Sequence, residues 1–287
     1  MGRIAYVNGQ FVRHGQAVVH IEDRGYQLAD AVYEVWALFG GKLADPEGHF
    51  ARLERSLGEL RIPMPMSRAA LTIVLREAVR RNRVSEGLVY LQVGRGVAPR
   101  GHAFPDEPIP PSIVITVSAV DRAASEAKAA KGVKVITTPE NRWGRCDIKT
   151  VGLLPNALAK QAAKERGAAE AWFVDELGLV TEGSSSNAWI VDADGALRTR
   201  DTNANILRGV TRYTLLDVLR EEGMKVDERP FTPAEAVAAR EAFITGAGSL
   251  VLPVIAVDDK PVGDGVVGPV AMKLRRLYIE RARATAI

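Results

Sequence analysis

Cysteine is almost absent: a single residue, Cys146, occurs in 287. A disulfide within the chain is therefore impossible and a zinc site built on several cysteines is excluded. One cysteine also matches a reducing compartment, so the expected location is the cytoplasm. Histidine is scarce as well. His14, His20, His49 and His102 are scattered with no HExxH pattern, so no metal site is expected. Long hydrophobic runs are missing. The longest uncharged stretch, 242–257, has 16 residues and contains Gly246, Gly248 and Pro253. A membrane-spanning helix needs about 20 apolar residues. The start, Met1-Gly2-Arg3-Ile4-Ala5-Tyr6, lacks both the apolar segment of a secretion signal and the hydroxyl residue of a myristoylation site. Charge of one sign is not concentrated either. The net charge is +3, and the basic stretches 76–83 and 273–283 read as solvated helix faces with Tyr278 as their one aromatic. Neither a membrane nor a nucleic acid is an expected partner.

Several enzyme signatures are also missing. No GxxxxGK[ST] phosphate loop occurs, and without a GxSxG the run Ser184-Ser185-Ser186 is not a nucleophile elbow. Residues 263–268 match GxGxxG, but only 19 residues follow Gly268. The second half of a dinucleotide-binding unit cannot fit there, so the glycines read as a turn. Cys146 has no histidine near it in sequence and reads as a buried structural thiol.

What is present fits a globular protein of about two domains: 47% hydrophobic and 25% charged residues. Asn8-Gly9 between two β-rich runs signals a hairpin, and residues 32–39 ending at Gly40-Gly41 signal another. Phe50, Leu53, Leu57 and Leu60 follow a helical period. Ser67 is placed to cap a second helix with Leu71, Val74, Ala78 and Val79 inside. Strands are expected at 88–93 and 113–120. Residues 1–120 thus read as an α+β domain. Residues 121–131, rich in Ala and charge, read as an interdomain linker. In 132–287, strands are expected at 133–137, 171–174, 188–191, 242–245 and 254–257. Helices are expected at 156–166, 210–222, 233–240 and 269–283.

Three segments of the second half stand out together: Arg142-Trp143-Gly144-Arg145-Cys146-Asp147-Ile148-Lys149-Thr150, Thr181-Glu182-Gly183-Ser184-Ser185-Ser186-Asn187, and Leu207-Arg208-Gly209-Val210-Thr211-Arg212. In the last, a glycine opens a helix, and helix starts bind phosphate through free N–H groups. In this order and spacing the three resemble the fold-type IV pyridoxal-phosphate enzymes, and within them the D-amino-acid (D-alanine) aminotransferases. Residues 22–27, 32–35 and 49–53 agree, and the resemblance runs from about Tyr6 to the C-terminus.

The resemblance implies a small α/β N-terminal domain, a larger C-terminal domain built around a β pseudo-barrel, and a homodimer with the active site at its interface. It implies pyridoxal 5′-phosphate as cofactor, supplying an aldehyde and an electron sink. It implies ping-pong transfer from an amino acid to a 2-oxo acid. By the same resemblance Lys149 holds the cofactor as a Schiff base and shuttles the proton, and Glu182 faces the pyridine nitrogen. Arg52 and the N–H groups of Val210 and Thr211 bind the phosphate. Ser186, Asn187, Leu207, Gly209, Gly246 and Ala247 complete the cofactor site. The family often has hydroxyl residues where this chain reads Gly246-Ala247-Gly248-Ser249, so one phosphate contact is missing at Ala247.

Arg100 and His102, with Tyr33, resemble the carboxylate trap of the D-specific enzymes, Arg100 and His102 reaching in from the partner subunit. Ala247 would also touch substrate. An arginine suits this role because its fork binds a carboxylate bidentately. On the strand, Tyr33, Val35 and Ala37 should face one side and Glu34, Trp36 and Leu38 the other. Branched-chain L-amino-acid aminotransferases usually carry Gly-x-Arg after the glutamate of this strand, where this chain has Val35-Trp36-Ala37. Aminodeoxychorismate lyases usually depart from the Glu-Gly-Ser-Ser-Ser-Asn pattern. An R-selective amine transaminase shares the fold, and a cofactor-free binding protein on a decayed enzyme fold is opposed by the intact Lys149 and Glu182.

Overall fold

The computed structural model describes residues 2–202 and 206–287. The chain divides into two compact units, the first made of Met1–Asp121, Ile148–Gly152 and Thr285–Ile287, the second of Arg122–Asp147 and Leu153–Ala284.

In the first unit the order is β1 (Ile4–Val7), β2 (Gln10–Arg13), α1 (Arg24–Leu28), β3 (Ala31–Phe39), β4 (Lys42–Leu43), α2 (Pro46–Glu59), α3 (Arg68–Asn82), β5 (Gly87–Gly94) and β6 (Ser112–Ala119). The strands form an antiparallel sheet in the order β2-β1-β6-β5-β3-β4. Asn8 and Gly9 turn β1 into β2 with φ of 45° and 96°, the left-handed pair of a tight hairpin. One face of the sheet is buried: Val32, Trp36, Leu38, Val89, Leu91, Val93, Ile113, Ile115 and Val117 pack on Phe50, Leu53 and Leu57 of α2 and on Leu71, Leu75, Ala78 and Val79 of α3. Ser67 caps α3, its hydroxyl accepting from the Ala70 N–H. Because side chains alternate along a strand, Tyr33 and Val35, with Tyr90 and Gln92 opposite them on β5, lie on the other face. Those four are half-buried.

In the second unit the order is α4 (Arg122–Lys131), β7 (Val133–Pro139), α5 (Leu154–Glu165), β8 (Glu170–Val174), β9 (Val180–Gly183), β10 (Asn187–Val191), β11 (Leu197–Thr199), α6 (Val210–Glu221), β12 (Val226–Asp227), α7 (Pro233–Ala238), β13 (Glu241–Gly246), β14 (Leu250–Val257), β15 (Lys260–Pro261) and α8 (Pro269–Thr285). The sheet runs β12-β11-β10-β13-β14-β7-β8-β9, with β15 on β14. β9 and β10 lie five strands apart in that order, a flat distance of about 24 Å. Only Ser184, Ser185 and Ser186 join them, a reach of about 14 Å. The sheet must therefore curl, as the expected pseudo-barrel requires.

Three expectations change. Residues 121–131, expected as the interdomain linker, divide: Asp121 closes the first unit, and Arg122–Lys131 form α4 and cluster with the second. Alanine, lysine and glutamate are strong helix formers, so the absence of β-formers marked a helix. Arg275 of α8 fixes it, bonding Glu126 at 2.8 Å and Ser125 at 3.0 Å. Second, Lys149 falls in the five-residue segment Ile148–Gly152 that clusters with the first unit. Third, β14 begins at Leu250 rather than 254. Pro253 sits beside an irregularity in the β14–β7 pairing between Val254 and Ala256, where a missing N–H is tolerated. Gly263 and Gly265 have φ of 54° and 76°, the turn expected there.

Leu75 is fully buried in the first core, so Leu75→Ala should lower stability by about 2–5 kcal/mol. Ser67→Ala, which removes only a cap, should lower it by about 1 kcal/mol. Urea denaturation of the two variants checks the order.

Candidate active site

In the second unit the chemistry gathers around Glu182 on β9, which is 4% exposed. Its carboxylate accepts from Arg142 Nη1 at 2.5 Å, from Asn187 Nδ2 at 3.1 Å, and from the Leu207 N–H at 3.1 and 3.2 Å. Burial pushes the Glu182 carboxyl up, Arg142 and the Leu207 N–H pull it back, and it remains above the ordinary glutamate value. Arg142 also forks onto Glu140, with bonds of 2.8 and 2.5 Å, and lies over the Phe173 ring.

α6 starts nearby in the chain. Its N-cap is Gly209, and no side chain of the described residues caps it. A Cβ on Gly209 would meet Asn187 Oδ1 at 2.0 Å, so only glycine fits beside that amide. The first-turn N–H groups of a helix have no acceptor within it, and Val210 and Thr211 are buried there. The turn from β13 to β14 passes through half-buried Gly246 and Ala247 and ends at Leu250, which has φ of 57°. That is a strained position for leucine and marks a tightly held turn. Gly246 lies against Ser185: a Cβ on it would meet the Ser185 carbonyl at 3.1 Å. Ser186 is buried, donating to Glu170 at 3.0 Å alongside Ser184 and Ser185.

In the first unit, Lys149 pairs with β3 through its carbonyl, which accepts from the Tyr33 N–H at 3.0 Å. Its ammonium lies 4.0 Å from the Tyr33 ring centroid, and Tyr33 stacks on Tyr90 at 5.6 Å. Tyr90 donates to Gln92 at 2.8 Å, and burial pushes its hydroxyl up to about 12. On the opposite face Arg52 forks onto Glu34 with two bonds of 2.7 Å. His49 Nδ1 donates to the same carboxylate at 2.8 Å. Burial alone would raise Glu34, but Arg52 and His49 outweigh it and hold the carboxyl at about 2.

Arg100 and His102 are exposed, in the loop between β5 and β6. The loop is anchored at its base. Arg24 donates to the Gly101 carbonyl at 2.7 Å and to Asp30 at 2.8 Å; Arg95 forks onto Asp30 and lies 3.6 Å beneath the Phe104 ring. Cys146 is buried, its thiol donates to the Trp143 carbonyl, and burial pushes it up to about 11. It is no nucleophile at neutral pH. Among the described residues no cluster could hold a metal ion and no helix is long and apolar enough to cross a membrane.

A family model, amino-transferase class IV, matches residues 31–257. The chain belongs to the class IV aminotransferases. It is 37% identical over 279 residues to a D-alanine aminotransferase of Staphylococcus haemolyticus, covering 96% of this chain and 97% of that one. A D-alanine aminotransferase of Listeria monocytogenes is 39% identical, with 96% and 94% covered. Among solved structures, a T.th. branched-chain amino acid aminotransferase with pyridoxamine 5′-phosphate superposes with a TM-score of 0.88 at 27% identity, covering 98% of this chain and 94% of that one. The fold is fold-type IV, and the aminotransferase uses pyridoxal 5′-phosphate.

The residues of this class IV aminotransferase fit that cofactor. A phosphate dianion needs clustered N–H donors, and the start of α6, capped by no side chain of the described residues, supplies them. A ring nitrogen that carries a proton needs a buried acceptor, which Glu182 is. An aldehyde needs an amine, and Lys149 presents one. Sequence reasoning left Arg142, Glu140, Glu34 and Tyr90 without roles. Arg142 and Glu34 lie inside segments that the resemblance already singled out, whereas Glu140 and Tyr90 carry no signal short of the contacts themselves.

Glu34 adds stability that is fully present above its ordinary 4.5 and lost as pH falls toward about 2. Burial likewise holds His49 below its ordinary 6.5, so the unfolded chain takes up that proton first and acid again favours unfolding. Tm should therefore fall from pH 6.5 downward, and Glu34→Gln should flatten the limb below pH 4.5. Differential scanning calorimetry across that range checks both.

Proposed function

We propose that this aminotransferase moves the amino group of D-amino acids of the D-alanine type onto 2-oxo acids, in two half-reactions, as a homodimer. The observation that carries the substrate reading is the loop of Arg100 and His102. Its base is clamped by Arg24, Asp30 and Arg95, yet both side chains are exposed and make no bond to any described residue. A guanidinium held ready on a fixed loop, without an anion of its own, is suited to a substrate carboxylate. In a dimer that loop would serve the partner's site. The D-alanine aminotransferase relatives, at 37–39% identity, support the same substrate. The branched-chain neighbours stand at 27–28%, and this chain lacks the Gly-x-Arg expected of them after Glu34.

Bound pyridoxal phosphate supplies the aldehyde and the electron sink. With the cofactor bound, Lys149 Nζ would hold it covalently and would carry the proton from the substrate Cα. The Tyr33 ring face gives that free ammonium a seat. Glu182 keeps a proton on the ring nitrogen, which makes the sink effective. The N–H groups of Val210 and Thr211 hold the phosphate, with Gly246 and Ala247 offering backbone in place of the missing hydroxyl. Arg52 is assigned to the phosphate, and Glu34 and His49 hold its guanidinium in place. Arg100, His102 and Tyr33 orient the carboxylate, and that orientation selects which enantiomer turns its Cα–H toward Lys149.

A panel of D- and L-amino acids with pyruvate or 2-oxoglutarate tests the substrate. D-alanine should be accepted, whereas preference for L-valine or L-leucine over every D-amino acid would replace this reading with the branched-chain one. Arg100→Ala should raise KM for D-alanine by about 30- to 1000-fold, the equivalent of about 2–4 kcal/mol for a charged hydrogen-bond partner. Borohydride reduction and peptide mapping should place the label on Lys149, and Lys149→Ala should abolish it.

A further inference from the structure

We propose that Arg142 is a positioning residue for amino transfer: shared between Glu140 and Glu182, it keeps Glu182 in place and ionised opposite the ring nitrogen of the cofactor. The inference rests on the role assigned to Glu182 above. Arg142 directs Nε and Nη2 at Glu140 and Nη1 at Glu182, at 2.8, 2.5 and 2.5 Å, and its Cζ lies 4.4 Å from the Phe173 ring centroid. Its side chain is 7% exposed, so these bonds are made away from water and the guanidinium has one orientation.

The charge count gives the arrangement its meaning. One cation faces two carboxylates, leaving a surplus negative charge that a protonated ring nitrogen would balance. The other described groups bonded to Glu182 are neutral, the Asn187 amide from β10 and the Leu207 N–H from the segment before α6, and Cys146 is a thiol at neutral pH. Thr181 spends its hydroxyl on Glu140 at 2.8 Å. Arg142 is therefore the group that decides which carboxylate takes up a proton. Glu182, at 5% side-chain exposure against 19% for Glu140, is the harder of the two to keep charged. Without Arg142, Glu182 would bind a proton and become a donor, unable to hold a proton on the ring nitrogen. Glu140 works in the opposite direction. It draws on the same guanidinium, so Glu182 keeps enough proton affinity to bind the ring N–H tightly.

The full-length protein with 13C at the glutamate δ-carbons tests this, with Glu182 assigned by the signal lost in Glu182→Gln. In cofactor-free protein, Arg142→Met should move the Glu182 titration up by about one pH unit or more. Glu140→Gln should move it down, and Arg142→Lys should leave it near wild type. With 15N-labelled pyridoxal phosphate bound, the ring nitrogen should read as protonated in wild type and Glu140→Gln and as unprotonated in Arg142→Met. A merely structural role would not move the two variants in opposite directions. Coincident titrations, or an upward shift in Glu140→Gln, would overturn the proposal. If Arg142→Met does not fold, Glu140→Gln and Arg142→Lys decide alone. If Glu182→Gln leaves the bound ring nitrogen protonated, the role of Glu182 itself fails, whatever the titrations of the cofactor-free protein show.

Discussion

Glu182 is a carboxylate taken out of water, and much of the second unit is arranged to make that tolerable. A buried anion needs a counter-charge and hydrogen bonds on its lone pairs. Arg142 comes from the loop after β7, Asn187 from the start of β10, and the Leu207 N–H from the segment before α6. One side chain thus ties together three parts of the chain that are far apart in sequence. The curl of the sheet is what lets β9 and β10 follow each other so closely, with the three serines between them bonded back to Glu170.

The first unit buries a glutamate by the same means with the opposite outcome. Glu34 takes two bonds from Arg52, adds a bond from His49, and is held at about 2. Glu182 shares its arginine with Glu140 and stays above the ordinary value. Burial is nearly complete in both, so the difference lies in how much cation each carboxylate commands. Glu34 is a fixed anion suited to holding an arginine in place. Glu182 has its carboxyl raised by burial, so it holds a proton more readily than an ordinary glutamate, which is the property a partner for a ring nitrogen needs.

Alternation along β3 separates these duties. Glu34 and Trp36 point into the core with α2, while Tyr33 points to the other face and receives the Lys149 ammonium. A shift of one residue in the pairing of β3 with β5 would exchange the two sets. The eight-residue run of pairs from Ala31–Gly94 to Leu38–Gly87 fixes that register.

Local chemistry was legible in the sequence. Asn8-Gly9, Ser67 and the apolar period of residues 50–60 specify a hairpin and helices because each depends on neighbours within a few residues. The segments carrying Lys149, Glu182 and Gly209 were legible as a family pattern. The alternation of β3 was legible too, and it separated Tyr33 from Glu34. What local reasoning mistook was the context of strands and helices. Residues 121–131 looked like a linker, because a helix lacking an apolar stripe shows its purpose only once Arg275 binds it. β9 was too short and polar to register as a strand until β8 paired with it. Only tertiary structure decided that Arg142 lies between Glu140 and Glu182, that Lys149 rests on Tyr33, and that Arg24 reaches Gly101. Apart from the local Arg142–Glu140 pair, these contacts span 40 to 116 residues; they depend on the whole backbone path, and no spacing within the chain encodes them.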